Sequence, residues 1–153
     1  MIMNGTYLGF DFGEVRIGVA VGERLVALAH PLETLATPNN DERFARIATL
    51  LHDWQPEGLV VGLPTHADGT PHEMTRLARR FAQRLHGRFG LPVFLVDERH
   101  TSLVAEEMLR EAGLRGRRQK PALDQIAAQL ILQTYFDGGG EALDVKGGSE
   151  ERE

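Results

Sequence analysis

Three acidic residues stand at positions where the surrounding sequence is apolar. Asp11 lies between two phenylalanines in the run LGFDF, and Glu98 follows the apolar run VFLV. Asp124 begins a helical row whose other members are apolar or aromatic: Ala127, Ala128, Ile131 and Tyr135. Because a buried carboxylate is costly unless it is paired, hydrogen-bonded or bound to a metal, these three acids are the first candidates for chemistry.

A cluster made of carboxylates alone favours hard cations such as Mg²⁺ or Mn²⁺. Two such ions about 3.5–4 Å apart can activate water and stabilise the leaving oxygen of a phosphodiester. Without metal, the crowded carboxylates repel one another, and at least one should take up a proton. Basic residues close to the acids would bind the neighbouring phosphates, and the candidates are Arg16, Arg99, Arg115, Arg117, Arg118 and Lys120.

Each acid also has an ordinary structural interpretation. Asp11 could end its strand and start the turn at Gly13. Either Asp97 or Glu98 could cap the helix that follows, and alternation along the strand does not choose between these two acids. Asp124 near a helix N-terminus is favoured by the helix dipole in any protein. The joint occurrence of the three acids, in this order of elements, therefore carries the prediction of a site.

Composition and missing motifs exclude several classes of function. The chain has no cysteine, which excludes disulfides and thiolate sites and is compatible with a reducing cytoplasm, where we expect the protein to act. The start of the chain lacks the pattern of a signal peptide, no apolar run is long enough to span a bilayer, and no P-loop motif is present. The net charge of −5 is concentrated in the last 16 residues, and most of the 17 basic residues are arginines, which suit phosphate recognition.

Hydrophobic periodicity predicts the order βββαβαβαα, and therefore an α/β sheet with helices on its faces. Thr70, Glu73 and Pro71 predict a capping box at the start of the second helix. The predicted strands lie within residues 6–12, 16–22, 24–35, 57–64 and 91–96, and the predicted helices within 39–54, 70–85, 101–113 and 121–136. We expect one domain over residues 1–137, followed by a disordered polar tail over 138–153.

Four stretches of the chain resemble the successive motifs of the YqgF family of bacterial pre-16S rRNA nucleases, which are also described as Holliday-junction-resolvase-like. These stretches are GFDFGEVRIGVAV, VVGLPTHADGT, VDERHTS and KPALDQIAAQLIL. The resemblance implies a ribonuclease H-like fold, with a five-stranded mixed sheet whose first three strands are antiparallel. It also implies that Asp11, Glu98 and Asp124 form the catalytic, metal-binding triad. Pro121 replaces the more usual non-proline residue of the last motif, and it suits a helix start.

The residues and the resemblance together predict a metal-dependent endonuclease that processes the 5′ end of precursor 16S rRNA. It would use Mg²⁺ or Mn²⁺, as two ions, and its substrate phosphates would be held by Arg16, Arg99, Arg117, Arg118 and Lys120. One alternative is a DNA junction resolvase with the same chemistry, and another is a non-catalytic nucleic-acid-binding module. The partner in each case is nucleic acid, either structured RNA or branched DNA, and monomer and dimer both stay open.

Overall fold

The computed structural model describes residues 5–64, 72–98 and 119–143, and for residues 119–121 it describes the backbone alone. Six strands form one sheet in the order β3-β2-β1-β4-β5-β6. The strands are β1 Thr6–Asp11, β2 Ile17–Glu23, β3 Leu28–Leu35, β4 Gly58–Leu63, β5 Val93–Asp97 and β6 Glu141–Ala142. The helices are α1 Asn40–Trp54, α2 Glu73–Phe89 and α3 Gln119–Phe136.

The sheet is mixed, and its first three strands are antiparallel as predicted. β2 pairs antiparallel with both β1 and β3, whereas β4 runs parallel to both β1 and β5. This difference follows from the connections, because a short turn can join only antiparallel neighbours and a parallel pair needs a crossover such as α1 or α2. The prediction of five strands was one short, since the two-residue β6 pairs antiparallel with β5.

Strict alternation along β1 divides its side chains between two cores. Leu8 and Phe10 are fully buried in the larger cluster, which contains the apolar residues of α1 and α2. Tyr7 belongs to the smaller cluster, which contains the apolar residues of α3. Asp11 follows Tyr7 by four residues and so lies on the α3 face of the sheet.

α3 packs very closely on the sheet because glycines, which have no side chain, lie beneath it. A Cβ added to Gly9 in β1 would lie 2.8 Å from Cβ of Leu132, and one added to Gly18 in β2 would collide with the carbonyl oxygen of Asp124. The helix is also tied to β3, since Gln129 donates a hydrogen bond of 3.0 Å to the Ala29 carbonyl. These contacts fix the start of α3 directly above the end of β1.

The helix starts follow the expected capping chemistry in one case and depart from the prediction in the other. Asn39 caps α1 by accepting a hydrogen bond of 3.0 Å from the Glu42 amide. α2 is capped by His72, whose Nδ1 accepts from the Met74 amide at 3.2 Å, while Thr75 Oγ1 accepts from the His72 amide at 3.0 Å. The expected cap at Thr70 was therefore wrong for the helix that begins at Glu73, and Thr70 itself lies outside the described residues.

Part of the predicted tail contributes to the sheet. The amide of Leu143 donates a hydrogen bond of 2.9 Å to the Val93 carbonyl, next to the β5–β6 pairing. The predicted helix over 101–113 and the tail beyond 143 fall outside the described residues. Among the helices that the structure describes, none combines the length and the hydropathy needed to cross a membrane.

Candidate active site

Asp11 and Glu98 come together although a strand separates the two strands that carry them. Asp11 ends β1, Glu98 follows β5, and β4 runs between them. A Cβ on Gly62 of β4 would stand 3.0 Å from Cδ of Glu98, so the missing side chain leaves the space that Glu98 occupies. The Glu98 amide donates to the Leu63 carbonyl at 3.2 Å, which continues the pairing of β4 with β5 beyond the strand end. The carboxyl groups of Asp11 and Glu98 are joined by a hydrogen bond.

The two consecutive acids at the end of β5 lie on different sides of the strand. Val96 is buried in the cluster on the α3 face, and Glu98 lies two residues further along the same face. Asp97 lies on the opposite side of the strand and is exposed. Alternation therefore does distinguish Glu98 from Asp97 once the face covered by α3 is known.

Both members of the carboxyl pair are shifted strongly towards the protonated form. Burial raises the pKa of Glu98 to about 9, and the charge of Asp11 raises it further in the same direction. Burial also raises the pKa of Asp11 to about 7, with the hydrogen bond from Glu98 acting against it and the charge of Asp124 acting with it. The pair thus keeps a proton at neutral pH, carried by Glu98 and directed at Asp11.

Asp124 lies close to this pair but has a different immediate partner. Its backbone rests against Gly18, which is the register partner of Asp11 in β2. Its Oδ2 accepts a hydrogen bond of 2.7 Å from Nε of Arg16, an ion pair between residues that are 108 positions apart. Asp124 therefore acts on Asp11 through its charge while Arg16 balances part of that charge.

The donor set agrees with a hard divalent cation, although its three members are not gathered around one point. Within residues 5–64, 72–98 and 119–143, no group of three or more His, Asp and Glu side chains is close enough to hold a metal ion. Asp11 and Glu98 are half-buried carboxyl groups whose pKa is raised by burial, and a cation bound between them would offset that cost by stabilising their ionised forms. Oxygen ligands of this kind suit Mg²⁺ or Mn²⁺, and Asp11, Glu98 and Asp124 are the residues that could hold it.

The predicted basic residues are only partly covered by the structure. Arg16 lies beside the three acids, where it contacts Asp124. Lys120 lies in the first turn of α3. Arg99, Arg117 and Arg118 lie outside the described residues, as does Arg115, so the predicted contacts of these residues with phosphate stay predictions.

Sequence reasoning missed Arg43, a buried arginine that holds the turn after Asp11. Its exposed fraction is only 3%, and its guanidinium donates to the carbonyls of Gly13 and Glu14 at 2.7 Å each and to that of Thr37 at 2.6 Å. Burial lowers the pKa of Arg43. The sequence could have indicated that Arg43 is buried, because it precedes Ile47 by four residues and so lies on the apolar face of α1. Its three carbonyl partners fix the path of the chain just beyond Asp11.

Comparisons with known proteins agree with the sequence motifs. Residues 5–138 match the model of the RuvX family, which is described as Holliday junction resolvase. A protein of Chromobacterium violaceum is 61% identical over 137 residues, covering 89% of this chain and 100% of that protein. A protein of Dechloromonas aromatica is 62% identical over 133 residues, covering 87% of this chain and 91% of that protein. Both carry the name "Putative pre-16S rRNA nuclease".

Solved structures give the fold independently. RuvC of Thermus thermophilus, in complex with a Holliday junction substrate, matches 93% of this chain and 100% of its own, with a TM-score of 0.55 and 20% identity. A second Thermus thermophilus RuvC structure matches 90% of this chain with the same TM-score of 0.55 and 19% identity. The predicted ribonuclease H-like class is thereby confirmed. With the family model covering nearly the whole described body and relatives at about three-fifths identity, the chain belongs to the RuvX/YqgF family.

Proposed function

We propose that this protein is a divalent-metal-dependent endonuclease that processes the 5′ end of precursor 16S rRNA. The observation that carries the proposal is the hydrogen-bonded pair of half-buried carboxyl groups, Asp11 and Glu98, at the ends of two strands of the sheet. Ligands of open α/β sheets bind beyond the carboxyl ends of strands, where this pair lies. The name shared by the curated relatives supports RNA as the substrate and hence the cytoplasm as the place of action.

In this proposal Asp11, Glu98 and Asp124 are the catalytic acids and hold one or two Mg²⁺ or Mn²⁺ ions. A bound divalent cation would supply the positive charge that favours attack of water on a phosphodiester and departure of its leaving oxygen. Glu98 and Asp11 must give up their shared proton before both can serve as ligands, because only the ionised carboxylates bind such a cation well. The raised pKa of each group makes that step easier at mildly alkaline pH than at acid pH.

Arg16 has two roles in this account. Its hydrogen bond of 2.7 Å keeps Asp124 beside the pair when no cation is present. Its guanidinium retains further donors that can reach a substrate phosphate, because only Nε is used in the contact with Asp124. Arg99, Lys120, Arg117 and Arg118 are the other residues that we propose to position phosphates.

Cleavage of a precursor 16S rRNA fragment in the presence of Mn²⁺ tests the proposal. Asp11→Asn should lower the rate by roughly 10²–10³-fold, because it removes a charge needed at the reacting centre. Asp97→Asn is the matched control, since Asp97 is an exposed acid on the opposite side of the strand that precedes Glu98. Equal cleavage by the wild type and Asp11→Asn would show that the assigned acids are wrong.

A second candidate function is resolution of four-way DNA junctions by the same acids. The description of the matching family model favours it, and the RuvC neighbour is itself in complex with a Holliday junction substrate. A resolvase must act as a dimer that makes paired cuts at symmetric positions. Light scattering together with a junction-cleavage assay would separate this function from rRNA processing, since a monomer that cuts only RNA would exclude it.

A further inference from the structure

A cavity of about 310 Å³ lies on the face of the sheet opposite the three acids, in the groove between α1 and α2. The residues that line it include Phe12, Glu14, Asn40, Leu77, Arg80 and Arg84. Phe12 directly follows Asp11, so the cavity opens at the same end of β1 as the candidate active site. Its volume is at the lower end of the range of about 300–1,000 Å³ that is typical of small-ligand pockets.

Two exposed arginines at the edge of the cavity are held in no ion pair by the residues that the structure describes, although the charge of Arg80 acts on that of Glu73. α2 carries exposed arginines at every fourth position from Arg76 to Arg88, so that they form a row along the helix. Arg76 pairs with Glu73 at 2.5 Å, and Arg88 lies over the ring of Phe44 at 4.2 Å. Arg80 and Arg84 take part in no ion pair within the described parts of the chain.

The walls of the cavity match the parts of a nucleotide. Phe12 lines the cavity; it is half-buried, packs on Phe81 with ring centroids 5.1 Å apart, and has the guanidinium of Arg43 over its ring at 5.5 Å. Glu14 and Asn40 offer oxygen and amide groups that can meet the polar edge of a base. Aromatic side chains stack on unpaired bases, and the arginine fork suits phosphate oxygens.

We propose that this groove binds one unpaired nucleotide of the nucleic acid substrate, with the base in the cavity beside Phe12 and the phosphate on Arg80 and Arg84. The inference rests on the proposed function, because it assumes that the substrate is a nucleic acid. A strand held at Asp11 needs to pass only the turn between β1 and β2 to reach the groove. Since Arg43 fixes that turn through the carbonyls of Gly13 and Glu14, the groove has a defined position relative to the acids.

Fluorescence anisotropy with a labelled single-stranded RNA of about 12 nucleotides, in EDTA to prevent cleavage, tests the arginines. Arg80→Gln and Arg84→Gln should each weaken binding several-fold and lower the slope of log K against log salt by about 0.7. Arg46→Gln is the matched control, because Arg46 is an exposed arginine of α1 that pairs with Glu33 at 2.6 Å. If both groove variants bind with the affinity and the slope of the wild type, the inference is wrong.

A second RNA analogue of the same length, in which every base is missing, tests the cavity. The wild type should bind it roughly tenfold more weakly than the normal strand, because stacking is lost. Phe12→Leu should reduce this difference while it leaves the salt slope unchanged. Equal affinity of the wild type for the two strands would overturn the nucleotide pocket, even if the arginine variants bind weakly.

The same protein preparations separate the inference from the proposed function. If the wild type cleaves precursor rRNA and both arginine variants bind and cleave as the wild type does, the nuclease function is supported and the nucleotide-binding role of the groove is wrong. If the wild type does not cleave precursor rRNA but the arginine variants bind RNA more weakly as expected, the nuclease function is wrong and the groove is supported as a nucleic-acid site. A wild type that binds no RNA would overturn the groove outright.

Discussion

At the scale of single residues, the shared proton of Asp11 and Glu98 has a consequence for stability. Both groups have a raised pKa in the folded protein, about 7 for Asp11 and about 9 for Glu98, against ordinary values of 3.8 and 4.5. Between about pH 4 and pH 9 the folded protein therefore binds more protons than the unfolded chain. Stability from these groups is fully present below the unfolded pKa values and is lost as pH rises through the folded ones.

Thermal unfolding of the metal-free protein at several pH values measures this effect. In EDTA we expect the Tm of the wild type to fall by at least about 5 °C between pH 5 and pH 9. Loss of the proton of Glu98 destabilises the folded protein at high pH. Glu98→Gln should therefore flatten the dependence, because the amide has no such proton to lose. Asp97→Asn should change the dependence only slightly, because the charge of Asp97 is the last of the causes that raise the pKa of Glu98. A flat profile for the wild type would show that the pKa values of Asp11 and Glu98 are not raised in the folded protein.

The sequence alone predicts Asp11 and Asp124 as site residues, but it does not predict the contacts around them. An acid in an apolar strand and an acid in an apolar helical row are local signals, so both could be predicted. The residues alone could not choose Glu98 over Asp97 without knowing which face of β5 is covered. The resemblance to the family motif supplied that choice. The ion pair of Arg16 with Asp124 joins residues 108 positions apart, and only the tertiary structure brings them together.

At the scale of elements, the site depends on close packing that only glycine allows. Gly18 lets the start of α3 rest on β2, and Gly62 leaves room for Glu98 to reach across β4. Helix and strand positions were predictable from periodicity, since short apolar runs and amphipathic stripes are local. The start of α2 was not, because His72 and Thr75 satisfy the first amides in place of the expected Thr70. β6 was missed because a polar two-residue strand depends on the edge of β5 for its pairing.

Gly62→Ala tests whether the absence of a side chain at this position of β4 is needed to accommodate Glu98. The added methyl group would meet Ile131 and lie 3.0 Å from Cδ of Glu98, so we expect a loss of roughly 1–3 kcal/mol in unfolding free energy. Displacement of Glu98 should also lower cleavage by about 10²-fold in a metal-dependent assay. Gly87→Ala is the control, because nothing lies within 4 Å of its added Cβ and alanine favours a helix. Full activity of Gly62→Ala would contradict this role.

At the scale of the whole molecule, the boundary of the domain can be tested. The predicted domain ends at residue 137, whereas β6 and Leu143 pair with β5 beyond that point. A chain ending at Leu143 should unfold at the same temperature as the full chain. A chain ending at Asp137 should lose roughly 1–3 kcal/mol, because it gives up these hydrogen bonds and exposes the edge of β5. Equal stability of the two truncated chains would place the boundary at 137 as first predicted.

The central claim is that Asp11, Glu98 and Asp124 together hold a divalent cation. Anomalous scattering from crystals soaked in Mn²⁺ at about pH 8 tests it most directly, because Asp11 is then mostly ionised and the cation has only the proton of Glu98 to displace. We predict a peak within coordination distance, about 2–2.6 Å, of carboxylate oxygens of Asp11 and Glu98, with Asp124 as the third ligand. The peak should be absent from Asp11→Asn crystals treated in the same way. Mn²⁺ bound only elsewhere, or a peak that survives Asp11→Asn unchanged, would contradict the claim.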